Sequence, residues 1–255
     1  MKAPIIVPID QLGQEPYESV LCFPNPSEIE VQSRILELHS QGVSALEFSG
    51  TASVFGVAVP VLGKGFVGIV VIAHLNGQRV AVKIRRVDAD RADLLHEASM
   101  LSQANSVSVG PKLIASSKNF LLMQLIDGDL LPNWLKTNKD KAVMKRVLMG
   151  VLEQCYRLDQ LGLDHGELSK APKHLLVDKS EKVFIVDFET SSIERRVANV
   201  TAVCQYLFGG TSSAAKILND VFIEKNRLNL IDVLKDYKKN KNRENFESLL
   251  AFCLS

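Results

Sequence analysis

Residues Val57–Arg86, VAVPVLGKGFVGIVVIAHLNGQRVAVKIRR, decide the fold class. Their β-branched runs are broken by a glycine cluster, Gly63, Gly65 and Gly68, and by the pair Asn76-Gly77. An Asn-Gly pair accepts positive φ at both central positions of a turn, which is the type I′ geometry whose twist matches the flanking strands. Residues 66–75 and 78–86 are therefore predicted to pair as a hairpin.

Downstream, DADRADLLHEASMLSQA reads as a helix capped near Asp88 or Asp90, with Leu94, Ala98 and Leu101 along one face. Strands are expected around Lys112 to Ala115 and Phe120 to Ile126, then a break at Gly128. Beyond Leu130 the pattern is mainly helical, apart from HLLV and KVFIVDF. Upstream, residues 1–26 are rich in proline and turn formers and suggest an extended lead-in. Ser27 and Glu30 then form a capping box, and Gly42 stops the helix that follows. The chain thus reads as α+β, with an N-terminal extension carrying one helix (1–55), a β-rich lobe with one embedded helix (56–127) and a mainly helical lobe (128–255). Residues 126–128 are the expected hinge.

Composition sets outer bounds. The 255 residues are 46% hydrophobic and 23% charged, with 30 basic against 29 acidic side chains, a net charge of +1. Such a chain is an ordinary globular one with no general electrostatic attraction to nucleic acid or anionic membrane, so nucleic acid is not expected as a direct ligand. Cys22, Cys155, Cys204 and Cys253 form no CxxC pair, which removes zinc-ribbon and dithiol chemistry and suits a reducing, cytoplasmic setting. The N-terminus lacks the apolar run of a signal peptide, and the longest apolar stretch, Phe66 to Ala73, is too short for a bilayer. The basic run Lys235, Lys238, Lys239, Lys241, Arg243 reads as a solvated helix end.

Five places can carry chemistry. In Gly63-Lys64-Gly65-Phe66-Val67-Gly68, with Val70 two residues on, backbone amides can approach phosphate oxygens without Cβ interference. A strand follows this GxGxxG rather than a helix, which argues against a dinucleotide site. Lys83 lies in VAVKIRR, on the strand face opposite Val80, Val82 and Ile84 and shared with Ala81. A strand lysine is by itself more often a solvated edge residue. Glu97, however, sits on the inward stripe of its helix, where a carboxylate needs a cationic partner, and Lys83 is the natural one. The last two places are Asp164-His165-Gly166-Glu167-Leu168, followed by Lys170, Lys173 and His174, and the apolar strand that delivers Asp187 in VDFE. A polar loop, a strand, a turn and a strand would bring Glu167 and Asp187 together, an arrangement suited to divalent-metal binding and alcohol activation.

Taken in order, GKGFVG, VAVK, HEASML, LLMQLIDG, HGEL and VDFE resemble the protein-kinase signature series. HGEL in place of HRD is most similar to the RIO-type atypical kinases and the aminoglycoside-phosphotransferase-like enzymes. The closest likeness is to a mostly archaeal group of predicted serine/threonine kinases that share the NG hairpin, KIRRVDADR and HGEL. The resemblance implies a two-lobed protein-kinase-like fold with a reduced C-lobe and an ATP-dependent phosphotransferase. ATP and Mg²⁺ or Mn²⁺ would be the cofactors, and a specific protein or the chain itself the phosphoacceptor.

By the same resemblance, Gly63, Gly65 and Gly68 cover the phosphates, Lys83 contacts them and Glu97 orients Lys83. Val70, Ala81 and the gatekeeper Met123 border the adenine, with backbone groups of Gln124 and Ile126 reaching it. Glu167 stands in for the catalytic aspartate, Asp187 holds metal, His174 replaces a metal-binding asparagine, and Glu189 is a further candidate ligand. An imidazole at 174 favours manganese over magnesium. The segment after Glu189 enters a helical pattern without the usual peptide-docking platform. Two alternatives follow from these departures: a small-molecule phosphotransferase, and a nucleotide-binding pseudokinase acting as a switch or scaffold.

Overall fold

A computed structural model of the chain describes residues 3–52, 58–209, 211–222 and 227–255, with the side chains of 227–229 left aside. It is an α+β protein in two units, Met1–Ser99 with Lys112–Leu125, and Met100–Pro111 with Ile126–Ser255. No helix among the described residues is long and apolar enough to cross a membrane. Val57 and the other residues of 53–57, where strand pattern was expected to begin, lie outside the described residues.

The first unit is built on an antiparallel sheet of β1 (Ile5–Pro8), β2 (Val43–Phe48), β3 (Gly63–Lys64), β4 (Gly68–Leu75), β5 (Gln78–Arg85), β6 (Leu113–Ser116) and β7 (Phe120–Gln124). Their order is β1-β2-β4-β5-β7-β6, with β3 paired to β4. The β4–β5 hairpin turns at Asn76 (φ 50°) and Gly77 (φ 77°), and its register runs from Leu75 opposite Gln78 to Gly68 opposite Arg85. The turn chemistry read in the sequence therefore sets the pairing of the two longest strands.

Residues 1–55 differ from the expected lead-in with one helix. β1 and β2 pair with each other and β2 pairs with β4, so this segment extends the sheet itself. Short strands escape local reading because what fixes them is a partner some 40 residues away. Helices α1 (Glu18–Leu21) and α2 (Glu28–Ser40) accompany them. Ser27 caps α2, its hydroxyl accepting the Glu30 N–H at 3.4 Å. Val31, Ile35 and Leu38 of α2 join Val7, Leu12, Leu21, Phe48, Val71, Val82 and Leu122 in one apolar cluster.

Inside that cluster lies a fully buried arginine, Arg34. Its guanidinium donates to Glu30 Oε1 at 2.8 Å, to the Leu21 carbonyl at 2.7 Å, to the Arg85 carbonyl and to Asn119 Oδ1 at 3.2 Å. Asn119 in turn gives its N–H and side-chain amide to Glu37 at 2.8 and 2.7 Å. A charge removed from water must be hydrogen-bonded all round, and this one is bonded to groups from α2, β5 and the β6–β7 turn, which locks α2 to the sheet.

Helix α3 (Leu95–Ser106) starts later than Asp88 or Asp90. The Leu95 N–H donates to Asp93 Oδ1 at 3.0 Å, whereas Asp88 is held by Arg86 at 2.6 Å. With its carboxylate engaged by a guanidinium, Asp88 does not act as a cap.

The second unit holds a three-stranded sheet, β8 (Gly128–Leu130), β9 (Leu175–Asp178) and β10 (Val183–Ile185), in the order β10-β9-β8. The break expected at Gly128 is thus the start of a strand, pressed so close to β9 that a Cβ at 128 would lie 2.1 Å from the Val177 carbonyl oxygen. Helices α4 (Leu131–Thr137), α5 (Lys141–Leu161), α6 (Asn199–Cys204), α7 (Ser213–Phe222), α8 (Arg227–Lys239) and α9 (Arg243–Cys253) make up the rest, with a π-helical turn over Gln205–Gly209. Asp140 caps α5, accepting the Ala142 N–H at 2.8 Å, and the helix buries Met144, Val147, Leu148, Val151, Leu152, Cys155 and Leu158. In the basic run near the C-terminus, Lys235, Lys239 and Arg243 are ion-paired with Asp232, Asp236, Glu153 and Glu247.

Candidate functional site

In the first unit, strand register gathers the residues singled out in the sequence. Val70 pairs with Lys83, Lys83 with Leu121, and Ala81 with Met123. Directly paired residues share a face of an antiparallel sheet, so Val70, Ala81, Lys83 and Met123 lie on one face. Val80, Val82 and Ile84 turn into the apolar cluster on the other. Leu94, just ahead of α3, and Ala98, in its first turn, pack with Val67 and Leu121, and this brings Glu97 to the lysine. Lys83 Nζ lies 2.8 Å from Glu97 Oε2, with the two side chains only 7% and 5% exposed.

Gly68 has a packing reason. A Cβ there would meet Lys83 Cγ and the Ile84 carbonyl oxygen at 2.9 Å, so only glycine lets the lysine stem lie across the strand. Gly63 and Gly65 have no such demand: a Cβ at 63 would meet nothing, and one at 65 only the Gly68 carbonyl oxygen at 3.7 Å. Their hairpin is closed by the Gly65 N–H donating to Gly68 at 2.8 Å, and it carries Phe66 almost fully exposed at its tip. Gln124, opposite Val80, falls on the other face from Met123, and its N–H is committed to the Lys112 carbonyl at 2.8 Å. Ile126 belongs to the second unit.

The second unit assembles the carboxylates. The loop before β9 makes a 3₁₀ turn over Leu168–Lys170 and closes with the His174 N–H on the Ala171 carbonyl. The β9–β10 hairpin is pinned by Asp178, whose Oδ1 accepts from Ser180 and Lys182 N–H groups at 2.8 and 2.9 Å. Two residues past β10 stands Asp187 at φ 71°, a left-handed conformation that is uncommon outside glycine and recurs at functional positions.

His174 Nε2 is 3.5 Å from Glu167 Oε2, and its Nδ1 is 3.8 Å from Asp187 Oδ2, so each ring nitrogen faces a different carboxylate. One ligand atom from each of Glu167, His174 and Asp187 falls within 4.8 Å of the others, close enough to share one cation. His174 is 12% exposed, and Glu167 and Asp187 are 40% and 35% exposed at their side chains. The Glu189 carboxylate also comes within 4.8 Å of the Asp187 carboxylate.

A scaffold supports this cluster, joining Asp164, His165 and Gly166 of the DHGEL stretch to residues that local sequence reading does not single out, Asp159, Thr190, Arg195, Asn199 and Tyr237. His165 is fully buried, with Nε2 3.1 Å from the Val186 carbonyl and its ring edge-on to His174 and Phe188. Gly166 at φ 91° sits where a Cβ would come 2.5 Å from Arg195 Nη2. Arg195 bonds Asp164 Oδ2 at 3.1 Å and the Thr190 carbonyl at 2.6 Å, while the Thr190 hydroxyl donates to the His165 carbonyl. The segment after Glu189 is thereby tied back onto residues 164–166. Beneath it, Asn199 donates to Asp159 Oδ1 and to the Leu163 carbonyl, and Tyr237 donates to Asp159 Oδ2 at 2.9 Å. Burial raises the Asp159 carboxyl despite these bonds. Nothing in the spacing of Asp159, Asn199 and Tyr237 signals their meeting, since they come from three separate helices.

Burial, reinforced by the neighbouring His174, pushes the His165 imidazole from 6.5 down to about 4. Above 6.5 both folded and unfolded chains keep this ring neutral; between 6.5 and 4 only the unfolded chain takes the proton, so stability falls as pH falls through that window. This group should remove about 2 kcal/mol of stability between pH 7 and pH 5. Urea titrations at the two pH values on the native chain and on His165→Gln check it, and the variant should show the smaller loss by about that amount. Equal losses would remove the histidine from the account.

No known family model matches the chain. It is similar over 119 residues, at 29% identity, to a Methanocaldococcus jannaschii protein named "Uncharacterized protein MJ1211". The match takes in 46% of this chain and 99% of that protein, whose name states no activity.

Proposed function

We propose that the chain is an atypical, RIO-like kinase of protein-kinase-like fold that transfers the γ-phosphoryl group of ATP to a serine or threonine hydroxyl of a specific protein or of itself. The observation that carries this reading is the buried Lys83–Glu97 pair. A buried ion pair is weak support for stability, because apolar side chains of similar size serve a core as well or better. A lysine held at 2.8 Å from a glutamate, on the sheet face shared by Val70, Ala81 and Met123 and beside a glycine hairpin, has instead the attributes of a phosphate contact.

In this reading Lys83 neutralises phosphate charge and Glu97 keeps its amine in place. Val70, Ala81 and Met123 border the adenine. Glu167 accepts the proton of the acceptor hydroxyl as its oxygen bonds to the γ-phosphorus and the bond to the β-phosphate oxygen breaks, leaving ADP. Asp187 and His174 with Glu167 would hold a divalent cation, with Glu189 beside Asp187 as a further candidate ligand, and the ion would supply charge neutralisation at the transferring group. Two carboxylates and one imidazole fit such an ion, and the imidazole favours Mn²⁺ over Mg²⁺, whose preferred ligands are oxygens.

Incubation with γ-labelled ATP and either Mg²⁺ or Mn²⁺ tests the reading. Label should appear on the chain or on a protein of a lysate, faster with Mn²⁺, and Lys83→Ala should lower the rate about 10²–10³-fold, the loss typical of removing one charged transition-state contact. No label with either metal would sink the kinase reading. A nucleotide-dependent rise in melting temperature without ADP release would instead favour a nucleotide-binding switch, a reading supported by His174 standing between the two carboxylates.

A further inference from the structure

We propose that Phe23, from the segment ahead of α2, is a positioning residue that clamps the glycine hairpin through a cation–π stack with Lys64 and Arg86. Lys64 Nζ lies 4.6 Å and Arg86 Cζ 5.0 Å from the Phe23 ring centroid. One cation, Lys64, belongs to the hairpin itself, in β3, and the other, Arg86, comes just past β5. Phe23 itself belongs to the apolar cluster of the first unit and is 8% exposed, so its ring is a fixed object. Its carbonyl also accepts the Val87 N–H at 2.8 Å.

Arg86 passes the restraint to the hairpin. Its Nη1 donates to the Gly65 carbonyl at 3.2 Å and its N–H to the Val67 carbonyl at 2.8 Å. The other edge of the guanidinium is held by both Asp88 oxygens, at 2.8 and 2.6 Å, which also offsets the charge of two cations sharing one ring. Such a restraint answers a need. A turn with three glycines loses more conformational freedom on ordering than any other, and the space around Gly63 and Gly65 holds no side chain to pack against. The N-terminal segment thus supplies what the hairpin lacks.

The link to nucleotide binding rests on the kinase reading, whereas the clamp does not, and hydrogen exchange separates them. In Phe23→Leu, which keeps an apolar side chain and removes the π face, amides of residues 63–68 should exchange about 3- to 10-fold faster, with the rest of the sheet unchanged. A non-hydrolysable ATP analogue with Mn²⁺ should bind about 3- to 10-fold more weakly. Phe23→Tyr should restore both to within about twofold. Lys64→Gln, a change at an exposed position, should speed exchange about two- to threefold and guards against a Leu variant that fails to fold. Unchanged exchange in Phe23→Leu and Lys64→Gln, or loss of protection spread evenly over the sheet, overturns the clamp. Faster exchange at 63–68 in a protein that binds no analogue keeps the clamp and overturns the kinase reading instead.

Discussion

On the proposed kinase reading, an Asp187→Asn chain should fold as the native one does and yet transfer phosphate about 10³-fold more slowly. Asparagine is among the few residues that tolerate a left-handed backbone, so φ 71° survives the change, whereas alanine would add strain. What goes is one negative charge at the meeting point of Glu167, His174 and Asp187. In that reading Asp187 is a metal ligand, worth several kcal/mol in the transition state, and each 1.4 kcal/mol is a factor of ten. Time courses with γ-labelled ATP, alongside thermal melts of both proteins with and without Mn²⁺, measure the two halves of the claim. Melting temperatures should agree without metal, and the Mn²⁺-dependent rise should be confined to the native chain. A transfer rate within tenfold of native would take Asp187 out of the chemistry.

The second large effect is on stability. Replacing the fully buried Arg34 by methionine should cost about 3–5 kcal/mol, the range found when one partner of a buried charged network is removed. Methionine fills the volume but takes the arginine donor from the Leu21 and Arg85 carbonyls and leaves Glu30 without its cation, while Asn119 Oδ1 keeps only the Arg85 Nε at 3.0 Å. One term acts in the opposite direction. Desolvation and the charge of Arg34 both depress Arg85, so its guanidinium is relieved by the change. Against a total stability of roughly 5–15 kcal/mol for a chain of ordinary size, the loss is a large share. Urea unfolding followed by circular dichroism reads it directly. A loss under about 1 kcal/mol would mean that apolar packing alone holds α2 to the sheet.

Where the sequence was readable, the determinant was local. Asn76-Gly77 fixes its hairpin through two backbone angles, Ser27 caps α2 with its own hydroxyl, and the helix period turns Glu97 inward, where the burial of a carboxylate calls for the lysine at 83. The features that stayed hidden depend on distant partners. Ile5–Pro8 becomes a strand because Ala45–Phe48 lies beside it, and Gly128–Leu130 because Leu176–Asp178 does. Asp93 takes over from Asp88 at the start of α3 because Arg86 claims the earlier carboxylate. The same holds at the candidate site. Glu167 and Asp187 announce themselves as charges at the ends of apolar runs, but the place of His174 beside both depends on how the loop of residues 168–173 folds, which residue spacing does not encode.

The burial of all four thiols has a practical side. Cys22, Cys155, Cys204 and Cys253 are each shut off from solvent, and burial pushes the Cys22 thiol up to about 11 and those of Cys155 and Cys204 well above their ordinary value. Thiol reagents act on the exposed thiolate, so the folded chain is silent to maleimides without any cysteine having to be removed. One cysteine placed at Phe66, 91% exposed at the tip of the glycine hairpin, would then be a single-site attachment point. A spin label or fluorophore there would report the hairpin's motion in an otherwise native protein.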